Sequence, residues 1–398
     1  MTLASRRDVL RLGFRGLGLL LAGPSFVGCG DASSGNGTSN IPNLGPLGEP
    51  DANGLRLPAG FTSRVLGRSG VAPVSSSPYL WHPSPDGGAV FPAPGDGWIY
   101  VSNCEFAPGA VGAMRFSRDG TLVDAYPILS DRTVINCAGG PTPWGTWLTC
   151  EEHPAGRVWE CDPLGEREAT ARPALGVFQH EAVAVDPDEG QLYLTEDVPD
   201  GRFYRFTAER PERDGSLDLS RGVLEVARVL DPGGEGEVVW HVVPDPSGAS
   251  MPTRLQVAES TPFRGGEGIW FHDGVAYVTT KGDNRVWAYE TRSRRISVMY
   301  DDERFTDAIL HGVDNVTASR GGDVLVAEDG DDMQIVALRR DAPPVAIVQV
   351  VGHPASEVTG PAFDPSGTRL YFSSQRGASG DLRTGGVTYE VSGPFHSS

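Results

Sequence analysis

A repeated turn and strand constrains the fold of this chain more than any other feature of its sequence. In each repeat a glycine in a turn precedes a short run rich in Val, Leu, Tyr and Trp, as in WIYVSNC after Gly97 and TWLTCEE after Gly145. The repeated glycines are Gly97, Gly145, Gly190, Gly274, Gly322 and Gly367. Their successive spacings are 48, 45, 84, 48 and 45 residues. A period of about 40 to 50 residues that holds four short strands is typical of a β-propeller.

The number of repeats predicts an all-β fold, a six-bladed β-propeller over residues 55–398. The interval of 84 residues equals one period plus about 39 residues, which we place between Gly201 and Phe263 as a short insertion between blades 3 and 4. The 52 Gly and 32 Pro agree, because they favour frequent turns over long helices. Residues 61–66 (FTSRVL) and 387–391 (VTYEV) are both strand-like, and we expect them to complete one blade together and close the ring.

The first 28 residues are expected to be an export signal. The motif SRRD at residues 5–8 resembles the twin-arginine signature, and the apolar stretch that follows is too short to span a membrane. Cys29 ends a lipoprotein-like cleavage box and would carry a lipid. Residues 29–54, rich in Gly, Ser, Asn and Pro, are expected to form a flexible linker. The sequence therefore predicts an exported protein, periplasmic or extracellular, that is anchored at the cell surface if Cys29 is lipidated.

The charge of the chain narrows its expected partners. A formal net charge of −19 opposes binding to nucleic acid or to an anionic membrane surface, so bound cations are the natural partners. Contact with a membrane is expected only through a lipid on Cys29. We expect a monomer that acts on a small molecule.

The segment NCAGGPTPWGTWLTCEE, residues 136–152, ends on a thiol followed by two carboxylates. A soft sulfur donor beside two hard oxygen donors suits a metal ion, because thiolates favour transition metals and carboxylates bind Ca²⁺, Mg²⁺ or Fe³⁺. The same three residues also fit a strand that ends in a solvated acidic turn after a small buried Cys. The other cysteines, Cys104, Cys137 and Cys161, are interpreted as core thiols.

Alignment of the repeats on their glycines brings further acids to the ends of strands. Acid pairs close the second strands of three hairpins, and single acids open two first strands. These acids are Glu151, Glu152, Glu196, Asp197, Glu328, Asp329, Glu181 and Glu267, together with Asp283, which follows another second strand. Because the start of one strand and the end of the next lie at the same edge of a hairpin, we expect the acids to converge at one mouth of the channel. Metal ions would relieve the repulsion among them, whereas acids that point outward into water need none.

Several motifs resemble the PhoX family of alkaline phosphatases. Besides the CEE segment, these are HEAVAVD at 180–186, TPFRGGEG at 261–268 and DNVTASRGGDVLVAEDG at 314–330. The resemblance implies a secreted six-bladed propeller that hydrolyses phosphate esters with a cluster of iron (Fe³⁺) and calcium (Ca²⁺) ions at one end of the channel. It makes Cys150 an iron ligand. It also implies these iron or calcium ligands: Glu151, Glu152, Glu181, Glu267, Glu328 and Asp329. We add Glu196 to the metal set on its place in the alignment.

Basic residues near the predicted strand tips are candidates to hold the phosphate. Arg264, Lys281 and Arg376 would act as a bidentate or point-charge clamp, although each alone also fits a surface charge. The family's usual Arg-Pro-Glu is replaced here by Arg264-Gly-Gly-Glu267. Metal ions in such a site neutralise the charge that develops during phosphoryl transfer.

Two other functions fit the same sequence features. One is a calcium-dependent, lactonase-like propeller hydrolase, which would use Glu181, Glu267 and Asn315 around one or two Ca²⁺ without a thiol. The other is a noncatalytic propeller lipoprotein that serves as a binding platform, since a fold alone establishes no chemistry.

Overall fold

The computed structural model describes residues 38–209, 215–231 and 233–397. The expected signal peptide and Cys29 lie outside these residues. Within the described ranges the chain is all-β, with 26 strands and five short 3₁₀-helices. No helix in this part is long and apolar enough to cross a membrane. The 3₁₀-helices are Ile41–Asn43, Pro173–Leu175, Thr253–Leu255, Lys281–Asp283 and Asp302–Arg304.

The strands are short and are numbered in chain order. The first ten are β1 (Leu55–Arg56), β2 (Thr62–Arg68), β3 (Pro85–Ala93), β4 (Gly97–Cys104), β5 (Gly109–Phe116), β6 (Leu122–Thr133), β7 (Asn136–Pro141), β8 (Trp147–Glu151), β9 (Val158–Cys161) and β10 (Thr170–Ala171). The next nine are β11 (His180–Asp186), β12 (Gln191–Glu196), β13 (Phe203–Ala208), β14 (Gly222–Val229), β15 (Gly236–Val242), β16 (Gly266–His272), β17 (Val275–Thr280), β18 (Arg285–Glu290) and β19 (Arg295–Asp301). The last seven are β20 (Val313–Ala318), β21 (Val324–Glu328), β22 (Gln334–Leu338), β23 (Val345–Val350), β24 (Val358–Phe363), β25 (Arg369–Ser374) and β26 (Val387–Ser392).

Hydrogen bonds join these strands into antiparallel sheets arranged as a propeller. Four-stranded sheets run β3-β4-β5-β6, β10-β9-β8-β7 and β2-β26-β25-β24. A five-stranded sheet runs β1-β23-β22-β21-β20, and a nine-stranded sheet runs β11-β12-β13-β14-β15-β19-β18-β17-β16. The innermost strands are β3, β7, β11, β16, β20 and β24. Each contacts the next one around the axis, and β24 returns to β3, so the ring is closed.

Small residues allow the innermost strands to approach one another closely. A methyl group on Gly140 of β7 would lie 1.8 Å from the carbonyl oxygen of Val183 in β11. One on Gly268 of β16 would lie 2.7 Å from the backbone nitrogen of Val316 in β20. Larger side chains at these positions would push the neighbouring strands apart. The two glycines therefore keep the channel along the axis narrow.

Large side chains fill the space between neighbouring sheets. Trp147 of β8 is 1% exposed, and its indole Nε1 donates to Asn103 Oδ1 of the preceding sheet at 2.9 Å. Its ring meets Phe91 of β3 edge-on, with the ring centroids 6.5 Å apart. Truncation of such a buried aromatic side chain to Ala typically costs about 3–5 kcal/mol. Contacts of this kind hold the hairpins at fixed positions around the axis.

The sequence predicted that the segment between Gly201 and Phe263 lies outside the repeat. In the structure, part of this segment belongs to the regular sheet. This part contains β13 and β14, which continue the regular sheet outward from β12. Among the described residues of this segment, β15 and the loop after it are additional, and β15 pairs with both β14 and β19. The count from glycine to glycine misplaced the insertion, because it assigned the regular third and fourth strands to the added length.

The predicted closure between the two ends of the propeller is confirmed. β2 near the start pairs with β26 near the end, and β1 adds an edge strand to β23. The part of the expected linker that is described, residues 38–54, packs on the propeller instead of extending from it. Ser39 Oγ donates to Asp323 Oδ2 at 2.6 Å, and Ile41 is 1% exposed within an apolar cluster. Composition alone did not reveal this anchor, since one buried Ile fixes a segment that is otherwise rich in small residues.

Candidate active site

An acidic cavity of about 490 Å³ opens at one end of the ring. Nine carboxylates and two cations line it, together with a thiol, an amide and a few apolar side chains. The acids are Asp86, Glu105, Glu152, Glu181, Asp197, Glu267, Asp314, Asp329 and Glu357. The cations are Lys281 and Arg376. The sequence therefore predicted correctly that acids converge at one mouth of the channel.

One position recurs in every inner hairpin and faces this cavity. It is the residue directly after the second strand of the hairpin. These residues are Glu105, Glu152, Asp197, Lys281, Asp329 and Gln375, and all of them line the cavity. The register supports the equivalence, because the last residue of each second strand pairs with the first residue of the first strand, as Glu151 pairs with Asn136.

A second recurring position is the second residue of each innermost strand. In five hairpins it lines the cavity, as Asp86, Cys137, Glu181, Glu267 and Asp314. A β-bulge follows at this point in all six hairpins. Bulges interrupt the regular alternation of side chains and often re-aim one of them beside a functional site. The bulge explains why these acids and the thiol point into the cavity.

Six of the predicted site residues lie in the cavity. They are Glu152, Glu181, Glu267, Asp329, Lys281 and Arg376. The others lie elsewhere, for reasons that follow from strand geometry.

Glu151 points away from the cavity, although its neighbour Glu152 faces it. Its carboxylate accepts hydrogen bonds from the backbone nitrogens of Val134 (3.0 Å) and Arg157 (3.1 Å) and from Trp159 Nε1 (3.0 Å). Successive residues of an extended chain alternate sides, so only one acid of an adjacent pair can face the channel. Glu151 therefore ties loops to its own hairpin.

Glu196 and Glu328 repeat this arrangement in other hairpins. Glu328 accepts from the backbone nitrogens of His311 and Gln334, both at 2.8 Å. Glu196 accepts from the hydroxyl of Tyr204 at 2.8 Å. Neither lines the cavity. Like Glu151, they were expected among the metal ligands, but they do not face the place where the other acids converge.

The thiol of the cavity belongs to Cys137, not to Cys150. Cys150 is 0% exposed and packs in an apolar cluster with Leu148 and Val158, and burial raises the pKa of its thiol. Cys137 Sγ donates to Glu181 Oε1 at 3.1 Å. The signal for Cys137 was its place at the second position of the first strand, which is where Glu181 stands in the next hairpin. The interpretation of Cys137 as a simple core thiol is therefore corrected.

Arg264 lies outside the acidic cavity. Its side chain is exposed and lines an adjoining open pocket of about 670 Å³, together with Asp197, Asp200 and Lys281. Gly265, with a φ of 58°, turns the chain between Arg264 and the start of β16. This turn sends Glu267 into the cavity and leaves Arg264 beside it.

Sequence reasoning missed several cavity residues. They are Asp86, Glu105, Cys137, Asp314, Glu357 and Gln375. Glu105 was hidden because alignment on Gly97 placed Cys104 where the hydrogen-bond register places Glu105. Asp314 directly precedes Asn315, and the hydrogen-bond register, not the glycine spacing, identifies it as the second residue of β20.

Three overlapping groups in the cavity have the composition of metal sites. Within each group one ligand atom per residue lies within 4.8 Å of the others. The groups are Asp86, Glu105 and Cys137; Cys137, Glu152 and Glu181; and Glu181, Glu267 and Asp314. The shared residues Cys137 and Glu181 make them one continuous cluster.

The residues fit bound cations. Glu181 is 0% exposed, and its Oε2 is buried without a hydrogen-bond partner among the described residues. A buried, unpaired carboxylate oxygen is costly unless something coordinates it. The donors are hard carboxylate oxygens with one thiol, a set that suits a transition metal beside an alkaline-earth ion.

The electrostatics of the cavity agree with this fit. Burial, then the charge of Glu105, raises the pKa of Glu152 to about 8. Burial raises the pKa of Asp314 to about 7. Burial, followed by the charges of Glu267 and Glu152, raises the pKa of Glu181 well above its usual range. Nearby positive charge lowers carboxyl pKa values, so cations in the cavity would restore the ionised forms.

The two basic side chains of the cavity are paired with its acids. Lys281 Nζ lies 2.9 Å from Glu267 Oε1 and 3.2 Å from Asp329 Oδ2. Arg376 Nη2 lies 2.6 Å from Glu357 Oε2. These contacts hold the ammonium and the guanidinium at the edge of the acid cluster.

Two amides orient carboxylates in the same region. Gln375 Nε2 donates to Asp86 Oδ2 at 2.6 Å, and it also contacts a carboxylate oxygen of Glu105. Gln179 Nε2 donates to Glu152 Oε1 at 3.0 Å. Such partners fix the geometry of potential ligands.

Comparisons with known proteins agree with the fold and the site. A family model described as alkaline phosphatase PhoX matches residues 131–158 and 153–377, more than half of the chain. A structure of Pseudomonas fluorescens PhoX in complex with vanadate, a transition state analogue, matches 90% of this chain and 98% of that chain, with a TM-score of 0.69 and 16% identity. A Bacteroides thetaiotaomicron structural genomics protein of unknown function matches 83% of this chain and 76% of its own, with a TM-score of 0.52 and 10% identity. No curated protein sequence gives a significant match.

The matched region contains the motifs and most of the cavity. It includes the CEE segment and the strands that carry Cys137, Glu181, Glu267 and Asp314. The structural matches independently support the propeller fold. This chain belongs to the PhoX family of alkaline phosphatases, which are phosphate-ester hydrolases.

Proposed function

We propose that the acidic cavity is the active site and that it hydrolyses phosphate monoesters with the help of several bound metal ions. The observation that carries this proposal is the continuous set of three ligand groups that share Cys137 and Glu181. A cluster of this kind suits several ions better than one, since each shared residue lies within reach of two groups.

The donor types suggest which ions bind where. We assign Fe³⁺ to the groups that contain Cys137, because thiolate is a ligand for transition metals and not for calcium. We assign Ca²⁺ to the group of Glu181, Glu267 and Asp314, which offers oxygen alone. Bound cations would neutralise the phosphoryl oxygens and act as Lewis acids.

The residues of the chain then have distinct tasks. Lys281 binds a phosphate oxygen once a metal ion competes for its present partner Glu267, and Arg376 binds one while it stays paired with Glu357, which lies outside the three ligand groups. Lys281 supplies a compact point charge, and Arg376 supplies a planar fork of N–H donors. Gln375 keeps the carboxylate of Asp86 in place.

The nine-stranded sheet decides how the blades are counted. We read it as two blades, β11 to β14 and β16 to β19, joined by the extra strand β15. Each half begins with an innermost strand and continues outward through three more. This reading gives six blades and places one inner hairpin of the cavity in each.

Metal analysis with activity assays tests the proposed function. Protein obtained through a native export pathway should contain iron and calcium and hydrolyse an aryl phosphate at alkaline pH. Calcium alone, with hydrolysis of a lactone, would favour the lactonase-like function. Protein that binds neither metal and hydrolyses neither ester would favour the noncatalytic binding platform.

The remaining properties are proposals with their own measurements. We propose export through the twin-arginine signal and a lipid on Cys29, on the basis of the motifs at residues 1–29. The mass of the mature protein recovered from membranes tests both. Light scattering tests the expected monomer.

A further inference from the structure

Four apolar residues line the acidic cavity on three neighbouring sheets of the ring. They are Phe106 and Ala107 after β4, Ile135 before β7 and Leu382 before β26, and we call them the apolar wall. Leu382 is 46% exposed, and Ala107 is also exposed. Exposed apolar side chains beside nine carboxylates need an explanation, because a site that bound only ions and phosphate would have no use for them.

The wall is held in place by specific contacts. Ser84 Oγ donates to the carbonyl oxygen of Leu382 at 2.8 Å. The guanidinium of Arg383 lies over the ring of Phe106, with its carbon 4.8 Å from the ring centroid. Asp381 Oδ1 accepts from the backbone nitrogen of Arg383 at 2.9 Å, which fixes the turn next to Leu382. The wall is therefore a prearranged surface.

Ile135 gives an independent sign that this surface has a function. Its φ of 49° lies in the left-handed region, which is an outlier for a β-branched residue. Such strain is concentrated at functional sites, where the surrounding structure maintains it. Its carbonyl oxygen accepts from the backbone nitrogen of Glu152 at 2.9 Å, so the strained residue links the wall to the acid cluster.

The position of the wall relative to the cations indicates what it contacts. Leu382 and Arg376 belong to the same loop between β25 and β26, so the wall adjoins a phosphate-binding candidate. The adjoining pocket near β12 and β16 carries Asp197, Asp200 and Arg264 but also Pro199 and Pro262, so it is the rival place for an organic group. An ester held at Arg376 has the apolar wall beside it on the same loop, and this favours the wall over the rival pocket.

We propose that the apolar wall binds the organic group of the phosphate ester, and that it favours esters of aryl or alkyl alcohols over esters of polyols. This inference rests on the proposed phosphatase function and adds its substrate class. Removal of one apolar contact in such a pocket typically lowers the discrimination between an apolar substrate and a polar one by about tenfold or more.

Phenyl phosphate and glycerol 2-phosphate test the inference on metal-loaded protein. The measured quantity is the ratio of kcat/KM for phenyl phosphate to that for glycerol phosphate. Leu382→Ser should lower this ratio about tenfold, with the change mainly in KM for phenyl phosphate. The matched control is Leu164→Ser, at a partly exposed leucine outside the cavity, and it should leave the ratio unchanged.

Two outcomes would overturn the inference. Leu382→Ser could change both substrates equally, or Arg264→Ala could alter the ratio while Leu382→Ser does not. If the parent protein hydrolyses neither ester, the proposed function is contradicted. A measurement of ligand binding then tests the role of the wall separately. Calorimetry should show that Leu382→Ser weakens the binding of phenylphosphonate about tenfold and leaves the binding of methylphosphonate unchanged. Equal effects on the two affinities would reject the wall as a binding surface.

Discussion

Glu151 and Glu152 are adjacent in the sequence, yet their carboxylates lie on opposite sides of the chain at the end of β8. Glu151 accepts hydrogen bonds from Val134, Arg157 and Trp159, whereas Glu152 faces the acidic cavity and accepts from Gln179. One acid therefore supports the structure and its neighbour is available to a ligand.

Substitution of the two acids should separate these roles. Glu151→Ala leaves one buried and two partly buried N–H donors without a partner, and a fully buried donor left unpaired costs about 1–3 kcal/mol. We expect a clear fall in the free energy of unfolding and nearly unchanged metal content per folded molecule. Glu152→Ala should lower metal content and leave the stability of metal-free protein nearly the same. Denaturant unfolding and metal analysis check both, and reversed effects would show that the assignment is wrong.

Ile41→Ala tests whether the segment before β1 is anchored to the propeller. Ile41 is 1% exposed, and removal of a buried Ile side chain typically costs about 2–5 kcal/mol. We expect a lower melting temperature, because the segment then loses its main apolar contact. Val123→Ala, at a residue that is 42% exposed, is the control and should change little. Equal melting temperatures for Ile41→Ala and the parent would support a flexible linker instead.

His82 should make stability depend on pH in the acidic range. Burial lowers its pKa from the usual 6.5 to about 3, while Tyr79 and Ser102 lie within hydrogen-bond distance of its ring nitrogens. Its folded-state pKa is below the unfolded value, so the stabilisation is complete above pH 6.5 and is lost as the pH falls towards 3. His82→Gln cannot take up this proton.

We therefore expect the melting temperature of the metal-free His82→Gln variant to fall less than that of the parent between pH 6.5 and pH 4. The comparison uses the difference between the two proteins at each pH, which removes the contribution of groups they share. A constant difference across this range would mean that His82 does not titrate as described.

The sequence predicted the propeller and its closure because both depend on spacing. The repeated glycines set the hairpins, and the terminal strands β2 and β26 were recognisable as partners. The convergence of acids at one end of the ring followed from hairpin geometry alone.

The identity of individual site residues depended on details that spacing does not record. Alignment on glycines cannot tell whether Glu151 or Glu152 faces the cavity, because the register within each hairpin decides it. The bulges that aim Cys137 and Asp314 inward are set by the hydrogen-bond register, which the spacing of the glycines does not record. Cys150 was chosen because it precedes two acids, but strand alternation buries it among apolar side chains.

The measurement that tests the central claim most directly compares the two cysteines. The account holds that metal ions bind in the acidic cavity through Cys137, and that Cys150 is a core residue. In protein isolated with its metals, Cys137→Ser should lose most of its iron and its aryl phosphatase activity, because a hydroxyl is a poorer ligand than a thiolate for this site. Cys150→Ala should keep both per folded molecule, with only some loss of stability. An iron-replete, active Cys137→Ser protein, or loss of iron specific to Cys150→Ala, would contradict the account.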